Sequence, residues 1–193
     1  MTASNPTDPN QVRVTGENSF IRLVQEEGGP QTTRASHWRV HHSPGGAGHV
    51  LYLKSDLTDD QVQIYSDNIA LARWLQEEIE SMLFPEFSDQ GVPVIDAVFT
   101  KRGDSYTFWT ENVESEEDTI TLTWYNFIEP FMLVNPAGAG GRTHGVYSCF
   151  IPAQNAQLTV NGDVADGNVV REMRGDKASS TACLALSETW VRA

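Results

Sequence analysis

From Val94 to the C-terminus the chain is a continuous succession of short β-branched and aromatic runs divided by turn residues. Such a pattern confines the fold to a sheet that closes on itself or stacks on a second sheet, because a long open sheet leaves unpaired edges. Val94–Lys101 and Tyr106–Val113 flank Arg102-Gly103-Asp104-Ser105, a turn cluster of hairpin length. The acidic turn Glu114–Asp118 leads into Thr119–Phe127, so the three runs predict a meander. Pro136–Gly141 reads as a flexible loop, followed by strands at Val146–Ile151 and Ala156–Val160 with the tight-turn dipeptide Asn161-Gly162, and a last strand at Thr181–Val191.

The first half adds strands at Ser19–Val24, Ser36–His42 and Val50–Lys54, with a short one at Val62–Tyr65. One segment breaks the two-residue period. Asp67 or Ser66 can cap a helix in which Leu71, Leu75, Ile79 and Met82 recur at helical spacing, with Glu77, Glu78 and Glu80 pointing away, and Pro85 stands just past its end. The expectation is a mainly β single domain over residues 1–193: an antiparallel β-barrel, lipocalin-like or calycin-like in architecture, or a cupin-like jelly-roll sandwich, with one amphipathic α-helix at residues 67–83. Met1–Gln11, polar and carrying Pro6 and Pro9, is expected to be disordered and has no signal-peptide pattern.

Thirteen Lys and Arg stand against 26 Asp and Glu, a formal charge of −13 spread along the chain. That field repels polyanions, so nucleic acid and anionic membrane surfaces are excluded as expected partners. No apolar run reaches the roughly 20 residues of a membrane span, which points to a cytoplasmic protein. Cys149 and Cys183 lie in apolar strand-like runs without a neighbouring base and read as buried thiols. The glycine-rich pieces at 45–48 and 138–141 lack nucleotide-binding spacing, so no cofactor is expected. The expected partner is a small-molecule ligand or substrate; assembly as a homo-oligomer, or as the small subunit of a hetero-oligomer, is left open.

Three clusters carry candidate chemistry. His37, His41, His42 and His49 fall close together, with His144 downstream, but the adjacent pair His41-His42 points to opposite strand faces, so a metal site is not the favoured reading. Glu111, Glu129 and Glu188 are carboxylates set among apolar strand residues. Regular alternation puts Glu188 on one face with Leu184, Leu186 and Trp190, where desolvation raises a carboxyl pKa toward the range of a general acid or base. Arg39 shares a face with His41 and is suited to hold an anionic oxygen. The aromatics Trp38, Trp109, Trp124, Tyr125 and Trp190, with Asn126, build core or line a cavity.

The functional expectation is a metal-independent acid–base enzyme of small-molecule metabolism, of lyase, hydratase or isomerase type. It would act in a barrel cavity through His41, Glu188, Glu111, Glu129 and Arg39. The rivals are a binding protein of the same fold without turnover and a metal-dependent cupin-like enzyme.

Overall fold

A computed structural model describes residues 11–192. The strands are β1 (Val12–Val24), β2 (Gln31–His42), β3 (Gly48–Ser55), β4 (Val62–Ser66), β5 (Val94–Asp96), β6 (Val98–Gly103), β7 (Phe108–Glu114) and β8 (Thr119–Phe127). They continue with β9 (Phe131–Asn135), β10 (His144–Val160), β11 (Asp163–Val164), β12 (Arg171–Arg174), β13 (Lys177–Ser180) and β14 (Ala182–Arg192). One helix of 15 residues, α1, spans 69–83. The expectation for the N-terminal segment falls, apart from Gln11, outside the described residues.

Ten strands pair in the order β5-β4-β3-β2-β1-β14-β10-β8-β7-β6. The two ends of this path, β5 and β6, are joined in the chain by Ala97 alone, so the sheet curls into a nearly closed barrel. This is the barrel with one helix that the periodicity implies. All pairs on the path are antiparallel except β4 with β5. Among the described residues no helix is long and apolar enough to cross a membrane.

Several elements depart from the sequence reading: the run Val94–Lys101, expected as one strand, is divided at Ala97 into β5 and β6, and the first strand begins at Val12, not Ser19. The runs at Val146–Ile151 and Ala156–Val160 belong to one strand, β10, which pairs with β14 and β9 up to Pro152 and with β8 from Ala153 onward. Pro152 sits at this change of partners, where a sheet tolerates a missing N–H. β9 and the β12–β13 hairpin lie in segments not assigned as strands from the sequence.

Alternation sorts the side chains into two layers. Inward residues such as Ile21, Ala35, Leu51, Leu122, Trp124 and Leu184 fill the barrel. Outward residues of β1 to β4, among them Val14, Trp38, Val50 and Tyr52, are covered by Leu71, Leu75 and Ile79 of the helix. Both clusters are fully or almost fully buried, so the sheet between them has the character of a core layer on both faces.

The helix begins two residues later than expected, at Ile69. Asn68 is its cap, accepting from the Leu71 amide at 3.2 Å, while Asp67 turns to His49. Gln76–Glu80 form a π turn. A wider turn retards the rotation of the residues after it, moving the inward position from Met82 to Leu83. Leu83 packs against the helix-covered cluster and Met82 is half exposed, which corrects the expected apolar face. Glu80 is corrected too. It is completely buried, and its Oε1 accepts from Ser36 Oγ at 2.6 Å and from Trp38 Nε1 at 2.5 Å, pinning the helix to β2.

Burial raises the Glu80 carboxyl to about 7, against hydrogen bonds from Ser36 and Trp38 that favour the anion. An unfolded glutamate titrates at about 4.3. The folded state thus holds an extra proton between these values, and the stability it confers is full below the unfolded value and lost as pH rises through about 7. The melting temperature is expected to fall between about pH 5 and pH 8. Glu80→Gln is expected to flatten the fall and to exceed the wild type at pH 8 by on the order of 2 kcal/mol. Thermal denaturation across this range measures it, and a wild-type profile that rises toward pH 8 contradicts it.

Candidate functional site

β14 carries one residue more than either of its neighbours. Opposite the single Ser148 of β10 stand Ser187 and Glu188, and opposite 17–19 of β1 stand 184–187. Ser187 adopts the left-handed backbone, φ +52°, that a bulge of this kind requires. An extra residue reverses the side-chain parity beyond it. Leu184 and Leu186 therefore face the barrel interior, whereas Trp190 packs in the helix-covered outer cluster and Glu188 turns outward with it. The expectation that all four share one face is overturned by this bulge.

On that outer face lies a cavity of about 500 Å³, bounded by β1, β10, β14 and the end of the helix. Its walls include Phe20, Leu133, Phe150 and Trp190, and its polar groups include Asn18 and Glu188. Glu188 is 3% exposed, and its Oε1 accepts from Trp190 Nε1 at 2.7 Å. Burial raises this carboxyl to about 7; the indole hydrogen bond works against the shift and nearby Glu80 adds to it. Asn18 donates through Nδ2 to Ser36 Oγ at 3.0 Å, and Ser36 in turn donates to Glu80, so a buried hydrogen-bond chain joins the cavity wall to the helix clamp.

His144 also lines the cavity. Its Nε2 lies 2.9 Å from Glu78 Oε1, and its ring meets Trp190 edge-on at 6.4 Å between centroids. Its buried Nδ1 has no partner among the described residues. Burial works to raise Glu78, but the hydrogen bond from His144 and the charges of Arg13, His144 and Arg192 outweigh it and hold this carboxylate below its ordinary range.

A second polar cluster sits inside the barrel. Arg39 donates to Glu111 Oε2 at 2.8 Å, and Trp109 Nε1 donates to Glu111 Oε1 at 2.8 Å. Burial raises Glu111 to about 7 even though Arg39 pulls the other way. Burial, then the charges of Arg39, His49 and Lys101, drive His37 well below the ordinary histidine value. His37 is consequently neutral at physiological pH, and its 3.9 Å approach to Glu111 is not an ion pair.

Most of the other candidates lie apart from both clusters. β2 carries an extra residue against β1, where Thr15 pairs with His42 and Gly16 with Val40. The shift takes His41 off the face of Arg39 and leaves it exposed, at the edge of a smaller cavity of about 220 Å³ that it lines with Glu17, Ser187 and Glu188. Glu129 is exposed in the β8–β9 turn. Trp38 and Trp124 are core, the latter bonded through Nε1 to the Phe20 carbonyl at 3.0 Å. Tyr125 and Asn126 are at the surface, where Asn126 Nδ2 bonds Asn155 Oδ1 at 2.9 Å. Of the aromatic candidates Trp190 alone lines the large cavity. His49 pairs with Asp67 at 2.6 Å, and among the described residues no three His, Cys, Asp or Glu side chains gather as a metal site needs.

The polar cavity residues not marked from the sequence include Asn18 and the arginines at 22, 142 and 174. Asn18 carried a signal: extending the first strand toward the N-terminus by alternation places it beside Phe20.

Removing Arg39 leaves Glu111 as a buried charge without a counterion. Arg39→Leu is expected to cost about 3 kcal/mol at pH 8 and less at pH 5, where Glu111 is protonated. The double variant Arg39→Leu/Glu111→Leu is expected to recover most of it. Urea denaturation at both pH values measures the difference, and an equal loss at the two refutes the pairing. Comparison of the chain with models of protein families, with curated proteins and with solved structures finds no match.

Proposed function

We propose that the protein is an acid–base enzyme of small-molecule metabolism, of lyase, hydratase or isomerase type, and that its reaction takes place in the outer-face cavity with Glu188 as the proton carrier. The observation that carries this reading is a buried carboxyl on the wall of a ligand-sized cavity, held by an indole N–H, where burial raises it to about 7. A general acid or base works best when its pKa lies near the operating pH, and burial brings Glu188 there. Cavities of roughly 300–1,000 Å³ with apolar walls and few polar groups are the usual form of a small-molecule site.

Each neighbour then has a task that its position supports. Trp190 fixes the carboxyl by its N–H and supplies an aromatic wall. His144 offers an unpartnered ring nitrogen as a second polar group beside the substrate. Glu80, buried nearby and coupled to Glu188, disfavours the simultaneous ionisation of both. Arg39 and Glu111 face the barrel interior, across the sheet from this cavity, and serve in this reading as a structural pair.

Binding without turnover is the second reading, and the aromatic walls favour it. The two are separated by incubating the purified protein with a mixed small-molecule extract and following each mass by chromatography and mass spectrometry. Turnover is expected to appear as isomerisation or as gain or loss of water. Glu188→Gln is expected to lower kcat by about 100-fold or more. The pH profile of the wild type is expected to show an inflection near 7 that the variant lacks. Unchanged turnover in Glu188→Gln refutes the assignment, and a retained but unaltered compound favours the binding protein.

A further inference from the structure

We infer that the outer-face cavity takes an amphipathic organic monoanion, with its acidic head among Arg22, Arg142 and Arg174 at the rim and its apolar body against Phe20 and Phe150. The inference rests on the reading of this cavity as a small-molecule site and names the class of molecule it admits.

The first ground is charge. The whole chain carries −13, yet three arginines line this one cavity. They come from separate elements: Arg22 from β1, Arg174 from β12 and Arg142 from the loop before β10. One carboxylate answers two of them. Glu172 Oε2 lies 2.8 Å from Arg22, and its Oε1 lies 3.0 Å from Arg174. Arg142 has no carboxylate within ion-pair distance among the described residues, so the three arginines outnumber Glu172 and the partly ionised Glu188 and leave a net positive charge at this cavity. Such a local excess in an acidic protein attracts one anionic group and rejects a cation. The planar guanidinium also matches a carboxylate or sulfonate head geometrically.

The second ground is how the arginines are held. The Arg174 guanidinium lies over Phe150 at 5.1 Å and over Phe20 at 5.5 Å, and Arg22 lies over Phe20 at 5.7 Å. The aromatic rings that wall the cavity therefore also carry its cations, so a polar head and an apolar body are recognised side by side. The Arg174 Nε is buried and has no hydrogen-bond partner among the described residues. A buried donor left unmet is a cost that an acceptor removes. Glu188 sets the limit on charge: a second anionic group in this cavity meets a carboxyl that is partly ionised at neutral pH.

Fluorescence titration with two probes of similar shape tests the inference: 8-anilinonaphthalene-1-sulfonate, an anion, and N-phenyl-1-naphthylamine, its uncharged relative. The sulfonate is expected to bind one per chain and about tenfold more tightly than the amine, with the advantage shrinking at high salt. Arg142→Gln and Arg174→Gln are each expected to weaken the sulfonate several-fold and to leave the amine unchanged. Leu133→Trp, which fills the cavity, is expected to weaken both. Glu188→Gln is expected to preserve the preference for the sulfonate, so a failure of the proton-carrier assignment and a failure of the anion inference give different results. Equal affinity for the two probes, binding of neither, arginine variants that hold the sulfonate as tightly as the wild type, or sulfonate affinity unchanged in Leu133→Trp would overturn the inference.

Discussion

The one extra residue that β14 carries at Ser187 decides which side of the sheet the last strand's chemistry faces. Without it, Glu188 and Trp190 would continue the inward alternation of Leu184 and Leu186 and lie in the packed barrel. With it, the carboxyl and its indole partner turn outward, into a space that the helix and the outer faces of β1 and β10 enclose. Sheet bulges recur beside functional sites because they re-aim a side chain at the cost of one strained residue. A second bulge, in β2 at His41, has the opposite effect and delivers a candidate side chain to solvent.

The helix is fitted to the same face by polar as well as apolar contacts. Leu71, Leu75 and Ile79 cover the outward residues of β1 to β4, and Glu80 reaches down from the π turn to Ser36 and Trp38. Glu80 and Glu188 are then two buried carboxyls on one side of the sheet, each raised to about 7 by desolvation, with Glu80 adding to the shift of Glu188. The barrel interior solves its own polar problem differently, by giving Glu111 an arginine partner and an indole donor. Three buried glutamates with one shared tendency, in a chain of charge −13, make the protein's stability and its proposed chemistry respond to the same range of pH.

The barrel, the single helix and the meander β6–β8 are legible in the sequence because each rests on a local period: two for strands, near four for the helix. β9, with its alternation of partly buried and exposed residues, and the short β12–β13 hairpin gave a weaker local signal and are placed by their partners. The site was legible in part. Glu188, Glu111, Arg39 and Trp190 were marked as charged or amphipathic residues among apolar neighbours, and all four are buried. That Glu188 and Trp190 face away from Leu184 and Leu186 was not legible, because parity counting assumes an unbroken ladder and the β14 bulge falls between them; the β2 bulge likewise breaks the parity of Arg39 and His41. The inward turn of Glu80 was hidden for a related reason: a glutamate beside Glu77 and Glu78 reads as solvent-facing until Ser36 and Trp38, distant in sequence, supply its donors.

All of this depends on Glu188 being held in a desolvated wall on the outer side of the sheet. The most direct measurement is the carbon chemical shift of the glutamate side-chain carboxyls followed by nuclear magnetic resonance from about pH 3 to pH 9, with the Glu188 resonance identified by its absence in Glu188→Gln. The account predicts a titration midpoint near 7 for this carboxyl. A midpoint in the ordinary range of about 4 to 4.5 would place it in water and contradict the account.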